Sequence, residues 1–219
     1  MFLELENVLT GEELAELRRL ADAATFVDGR ISNPAAYAKN NKQADTTDSN
    51  AQAASQILQN SLARNPEFLA FAMPALIAPP LLCKYDPSNH YGPHTDVAFM
   101  QLPGRRLRSD ISCTFFLGDP STYDGGELTI HLIDGILKFK GRPGSAVIYP
   151  SWTIHEVRPV TRGERFVAIT FIESIIKDPQ KREMLWTLNE VSELEGTKMD
   201  AGNRTRLEQV RQNLLRLWS

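Results

Sequence analysis

The chain has 219 residues, of which 42% are hydrophobic and 23% charged, with a formal net charge of −3. Length and balance fit one generous globular domain, or one domain with helical additions, and exclude a disordered chain. The slight acidity leaves no global basic field for a phosphate backbone, so nucleic acid is not expected as a partner.

Glu4 and Glu6 stand where a secretory leader would carry positive charge, and export is not expected. Thr10-Gly11-Glu12-Glu13 is a capping box, and Leu14, Leu17, Leu20, Ala21 and Ala24 follow at helical spacing. Residues 11–24 therefore read as an amphipathic helix. The polar stretch 32–50 reads as loop, and residues 48–65 as a second helix stopped by Pro66. The longest apolar stretch, residues 74–82, is broken by Pro79 and Pro80 and is far short of the roughly 20 residues a membrane span needs.

From about residue 75, short runs rich in Ile, Val, Phe and Thr alternate with Gly, Pro and Asp. The runs 76–85, 94–101, 110–117, 127–133, 136–139, 144–149, 153–158 and 165–173 read as strands of an all-β sandwich or jelly roll. In the last, Arg165, Val167, Ile169 and Phe171 share one face. Residues 178–193 and 203–218 return to helical patterning, the latter with an apolar stripe of Leu207, Val210, Leu214, Leu217 and Trp218. The expected fold is mainly β with flanking helices. A double-stranded β-helix core carries N-terminal helices over residues 1–176, and a helical C-terminal extension follows over 177–219. The stripe could pack on the sheet or form a homo-oligomer. Cys83 and Cys113 make neither a CxxC nor a framework, so two buried reduced thiols in a cytoplasmic protein are expected.

Among the four histidines, His94-Thr95-Asp96 places an imidazole and a carboxylate two apart, which on an extended strand sends both to one face. A third nitrogen donor would complete the two-His, one-carboxylate set of non-haem Fe(II) oxygenases, which leaves three coordination positions open. His155, 59 residues beyond Asp96, is the natural candidate. The dipeptide alone is weak, since His94 could equally be a loop or core histidine. Arg165, ten residues after His155, adds weight. A guanidinium facing a barrel interior needs an anion, and a ligand carboxylate would supply it. Asp110 or Glu127 is the alternative partner.

The stretches Tyr91-Gly92-Pro93-His94-Thr95-Asp96, Arg108-Ser109-Asp110-Ile111-Ser112 and Phe116-Leu117-Gly118-Asp119-Pro120 resemble the bacterial PKHD-type hydroxylases. These belong to the prolyl 4-hydroxylase-like branch of Fe(II)/2-oxoglutarate dioxygenases. The resemblance continues through Tyr123-Asp124-Gly125-Gly126-Glu127-Leu128, Tyr149-Pro150-Ser151 and His155 to Pro159-Val160-Thr161-Arg162-Gly163-Glu164-Arg165. It implies His94, Asp96 and His155 as iron ligands, Arg165 on the distal carboxylate of 2-oxoglutarate, and Tyr85 on that same carboxylate. It also implies hydroxylation of an unactivated C–H with dioxygen, giving succinate and CO2, and ascorbate as a reductant that restores Fe(II). The substrate stays open among a peptidyl residue, an amino acid and a small metabolite. Two positions depart from the family pattern: Glu173 where Gln is expected, and Trp152 where a small polar residue is expected.

Other features have plain readings. Asp124-Gly125-Gly126 reads as a tight turn. The Arg105-Arg106-Arg108 cluster reads as a solvated loop, with an anion-attracting lid as the alternative. His131 lacks a partner at metal spacing, and His90 could support the site. Trp186 and Trp218 read as packing residues. Two rival functions remain: a cupin-like metal enzyme that does not use 2-oxoglutarate, and a non-catalytic iron and 2-oxoglutarate sensor.

Overall fold

The computed structural model describes residues 1–32 and 38–219. Strand β1 (Leu3–Leu5) leads into helix α1 (Gly11–Ala23), where the capping box closes as the sequence requires. Glu13 accepts from the Thr10 backbone N–H at 2.9 Å, and the Thr10 hydroxyl accepts from Glu13 N at 3.2 Å. β2 (Phe26–Asp28), β3 (Lys39–Asn40) and β4 (Lys42–Ala44) follow. The last two correct the expectation of unbroken loop over 32–50, of which residues 33–37 lie outside the described residues. These strands are too short and polar to show a period. They are strands because they pair with β6 and β7.

Helix α2 (Ser49–Ala63) is capped by Asp48, which accepts from Asn50 N and Ala51 N. Pro66 does not merely stop it. It opens a separate short helix α3 (Pro66–Ala72), occupying the first turn, where its missing N–H costs nothing, behind the Asn65 cap.

The β region comprises β5 (Pro74–Ile77), β6 (Leu81–Tyr85), β7 (His90–His94), β8 (Phe99–Leu102), β9 (Arg105–Arg108) and β10 (Ile111–Phe116). It continues with β11 (Asp124–Gly125), β12 (Leu128–Leu132), β13 (Gly135–Phe139), β14 (Ala146–Pro150), β15 (Ile154–Val157), β16 (Val160–Arg162) and β17 (Arg165–Ser174). The run read as one strand over 76–85 is two, parted at Pro79-Pro80, where two ladder donors are missing. The run over 94–101 likewise breaks after His94. The arginine cluster is not loop: Gly104, at φ +74, turns β8 into β9, Arg106 lies 4.1 Å over the Phe99 ring, and Leu107 is buried.

The larger sheet runs β1-β14-β10-β17-β6-β4-β2, with β5 also on β17, and faces a five-stranded sheet ordered β13-β12-β15-β7-β3. This is a double-stranded β-helix, or jelly roll. Alternation along β17 sets the layers. Phe166, Ala168 and Ile172 join Leu17, Leu20, Ala54, Leu58, Leu62 and Phe68 in a core between sheet and N-terminal helices. Val167 joins Tyr85, Phe116, Ile130, Val147, Tyr149 and Val157 between the sheets.

α4 (Pro179–Glu195) and α5 (Ala201–Trp218) close the chain. Trp186 packs edge-on against Phe71, with ring centroids 5.5 Å apart. No residue of α5 is buried, so its apolar stripe covers little: Val210 is half exposed and Leu217 more so. No helix among the described residues is long and apolar enough to cross a membrane.

Candidate active site

His94 ends β7 and His155 lies on β15, directly opposite in an antiparallel register. Residues far apart in sequence are thereby brought side by side. Asp96 does not share the strand with His94, as the two-residue spacing suggested, but lies just past its end. Its backbone N–H donates to Ser151 O at 3.2 Å, which turns the carboxylate back toward both imidazoles.

The candidate ligand atoms of His94, Asp96 and His155 all lie within 4.8 Å of one another. His155 Nε2 is 3.6 Å from Asp96 Oδ2, and His94 Nε2 is 4.0 Å from Oδ1. His94 Nδ1 donates to Gly92 O at 2.8 Å and His155 Nδ1 to Thr153 O at 2.9 Å. A carbonyl can only accept, so each Nδ1 carries the proton and each Nε2 lone pair faces the shared space. Two nitrogens and one carboxylate oxygen around one point could hold a divalent transition metal with other positions open.

The surroundings tune these groups. Burial, followed by the neighbouring His155 ring, pushes the His94 pKa down to about 4, which keeps the imidazole neutral, as a ligand must be. Burial pushes the Asp96 carboxyl up, against the Ser112 hydroxyl and nearby cationic groups. Ser112 Oγ donates to Asp96 Oδ2 at 2.5 Å and lies 2.8 Å from Ser151 Oγ, which also accepts from Ser109 Oγ at 2.9 Å. This chain of hydroxyls fixes the carboxylate from behind. Tyr91 stacks on His94 with centroids 3.6 Å apart, and Tyr149 meets His155 edge-on at 5.1 Å.

Arg165 opens β17 and is 1% exposed. It sits opposite Tyr85 of β6, with its guanidinium carbon 4.9 Å from that ring's centroid. Asp110 does not neutralise it. That carboxylate takes Arg108 at 2.7 and 2.8 Å and Ser174 N at 2.9 Å. Neither Glu127 nor any other carboxylate among the described residues forms an ion pair with Arg165, and its Nε is a buried donor without a partner. Arg165, Tyr85, His94, Asp96 and His155 line one cavity of about 40 Å3. A buried cation with an unmet donor, beside a metal-type donor set, fits an anionic ligand that also reaches the metal.

Gly125 and Gly126, at φ +72 and +69, hold a backbone other residues rarely adopt. A Cβ on Gly126 would lie 2.9 Å from Arg165 Cδ, so the tight turn also makes room for the arginine. Tyr85 is buried, which pushes its phenol pKa up. His131 pairs with Glu156 at 3.2 Å, and His90 lies 3.1 Å from Ser88 O; neither lines the cavity. Glu173 faces Arg108, accepting its backbone N–H at 3.1 Å, and Trp152 is 53% exposed, and neither lines the cavity of the three candidate ligands. Cys83 and Cys113 are free and buried, and burial raises both thiols, Cys83 to about 11.

The hydroxyl chain, Tyr91 and Gly126 were not assigned roles by sequence reasoning. Their residues lie in the matched motifs, but only folding brings Ser112 and Ser151 against Asp96.

Fold and donor set together define a 2-oxoglutarate-dependent Fe(II) oxygenase, and comparison with known proteins agrees. The 2OG-Fe(II) oxygenase superfamily matches residues 81–173. A PKHD-type hydroxylase of Sphingopyxis alaskensis is 49% identical over 215 residues, 98% of each chain. One of Methylobacillus flagellatus is 39% identical over 225 residues, covering 100% of this chain and 99% of that one. A prolyl-4-hydroxylase structure from Pseudomonas putida shares the fold with TM-score 0.53 at 21% identity, over 79% of this chain and 92% of that one. A 2OG-Fe(II) oxygenase family oxidoreductase from Burkholderia pseudomallei gives 0.60 at 19%, over 78% and 85%. The chain belongs to the PKHD-type hydroxylases. It is a hydroxylase that uses Fe(II), 2-oxoglutarate and dioxygen on a substrate.

Proposed function

We propose that the protein hydroxylates an unactivated C–H of an organic or peptide substrate, holding Fe(II) through His94, Asp96 and His155. Substrate, dioxygen and 2-oxoglutarate become hydroxylated substrate, succinate and CO2. One dioxygen atom enters the new hydroxyl and the other the succinate carboxylate. When bound, iron supplies the dioxygen activation that couples decarboxylation to hydroxyl transfer. The chain's own residues hold and enclose. The two Nδ1–H···O=C bonds orient both imidazoles, and Ser112 orients Asp96. Arg165 receives the distal carboxylate of 2-oxoglutarate, with Tyr85 beside it, and the apolar walls exclude water from the reacting groups.

The observation that carries this reading is Arg165: a buried guanidinium with no ion-pair partner and an unmet Nε among the described residues, in the same cavity as the three donors. The test is succinate formation with Fe(II), 2-oxoglutarate and oxygen, with and without candidate peptides, amino acids and metabolites. Succinate that depends on His155 and Arg165 supports it. Turnover without 2-oxoglutarate identifies a cupin-like enzyme, and co-substrate binding without any succinate identifies a sensor. Ascorbate acts as a reductant after uncoupled turnover, and the protein works in the cytoplasm without nucleic acid. Residues 1–176 form the catalytic unit, and the extension from 177 offers the α5 stripe to a second copy.

A further inference from the structure

Outside the metal cavity, the helix α2 face, the strand β4 and the tip of the β8–β9 hairpin enclose a groove of about 620 Å3. Its size falls within the range of small-molecule sites. It shares Ile169 and Phe171 with the metal cavity, so the two spaces meet across the inner face of β17. Phe171 lies opposite Ser112, the residue that holds Asp96, whereas Arg165 lies at the other end of β17. The groove therefore adjoins the metal side of the barrel.

Two features of this groove are unusual. No charged side chain lines it, in a chain whose residues are 23% charged. It is lined instead by five glutamines and an apolar floor. Gln43 is 4% exposed and its Oε1 has no hydrogen-bond partner among the described residues. A buried acceptor is costly to leave unmet, and native proteins rarely do so without a reason. Register places Gln43 opposite Cys83, and Cys83 opposite Val167, on the inner face of the sheet rather than toward the helices.

The other four glutamines have their donors engaged, Gln56 Nε2 with the Asn60 side-chain oxygen at 2.8 Å and the remaining three with the backbone. Gln52 Nε2 donates to Thr46 O at 3.0 Å, and Gln59 Nε2 to Ile77 O at 2.9 Å. Gln101 Nε2 donates to Leu102 O and Arg105 O, both at 3.3 Å. For Gln52, Gln59 and Gln101 each partner is a backbone carbonyl, which can only accept, so the orientation of these three amides is fixed and Oε1 is the group left over. The groove thus offers neutral acceptors along an apolar surface. A charged ligand would be desolvated there without a counter-charge, whereas an uncharged chain bearing amide N–H groups would find partners.

We propose that this groove holds the part of the substrate next to the reacting carbon. That part is an uncharged, amide-bearing chain, and Gln43, through Oε1, is a specificity-determining residue that accepts one of its N–H groups. This deepens the hydroxylase reading above and rests on it.

The probe is a set of N-acetylated, C-amidated tetrapeptides of uncharged residues, with matched members carrying Lys or Asp. Binding to the full chain loaded with Mn(II) and 2-oxoglutarate is followed by ligand-detected NMR. Uncharged members are expected to bind at least tenfold more tightly than charged ones. Gln43→Met should weaken them about tenfold. Backbone N-methylation of the peptide at one position should do the same on the wild-type protein, which covers the case where the variant does not fold. No binding by any uncharged member, equal binding of charged members, or indifference to both Gln43→Met and N-methylation overturns the proposal. Binding of 2-oxoglutarate itself, followed separately by thermal shift, reports on the hydroxylase reading, so the two failures are distinguishable.

Discussion

Arg165→Met should separate stability from function in a single substitution. In the free protein the guanidinium is 1% exposed and lies over the Tyr85 ring, with Nε unpartnered and no carboxylate in ion-pair range among the described residues. Replacing a buried, uncompensated ionic group by an apolar side chain of similar volume is neutral to stabilising by about 1–4 kcal/mol. For a chain of this size each 1 kcal/mol moves Tm by about 2–4 °C, so the ligand-free variant should melt no lower than wild type and up to about 16 °C higher. With 2-oxoglutarate only the wild type moves. At one hundred times its Kd the co-substrate stabilises the wild type by about 2.7 kcal/mol, a Tm rise of roughly 5–11 °C. The variant leaves the ligand carboxylate buried and unpaired, which costs about 3–5 kcal/mol and removes the shift at the same concentration. The assay is a pair of thermal scans on the Mn(II)-loaded protein, with and without 2-oxoglutarate. A ligand-free variant that melts several degrees below wild type, or one that keeps the 2-oxoglutarate shift, would refute the argument.

Other consequences are as specific. Ser112→Ala removes the 2.5 Å donor to Asp96 and should weaken Mn(II) binding about 10–100-fold with the fold intact, measured by calorimetric titration; unchanged affinity would show the hydroxyl chain to be idle. Gly126→Ala forces a side chain onto a backbone at φ +69 and brings Cβ to 2.9 Å from Arg165 Cδ. It should cost about 1–3 kcal/mol in denaturant unfolding and weaken 2-oxoglutarate more than Mn(II), whereas an equal loss of both ligands would assign it to stability alone. Ending the chain at Gly196 removes α5, which has no buried residue, and should change unfolding free energy by less than about 1 kcal/mol. A large loss would show that α5 supports the barrel.

How much of this was legible in the sequence depends on how local each feature is. The capping box at Thr10 and Glu13 and the alternation in β17 are local, and both elements form where the pattern places them. The brief strands β3 and β4 carry no period and exist only through pairing with distant strands, so 32–50 read as loop. The β8–β9 hairpin was masked by its arginines, whose charges suggested solvent while Leu107 between them is buried. At the site, residue chemistry pointed to His94, Asp96, His155 and Arg165, because metal donors and a lone arginine on an apolar strand face are unusual in any context. Ser112, Ser151 and Gln43 gave no such signal. A serine or glutamine is ordinary anywhere, and only the closed barrel puts the Ser112 hydroxyl against Asp96 and leaves the Gln43 amide oxygen without a partner among the described residues.

The central claim is that one metal ion and one dicarboxylic acid meet in the space between the two sheets. Its most direct measurement is an anaerobic crystal structure of the protein with Mn(II) and 2-oxoglutarate. The account predicts one ion on His94 Nε2, Asp96 and His155 Nε2, chelated by 2-oxoglutarate, with the far carboxylate on Arg165. An ion bound elsewhere, or a co-substrate whose far carboxylate leaves Arg165 unpaired, would contradict it.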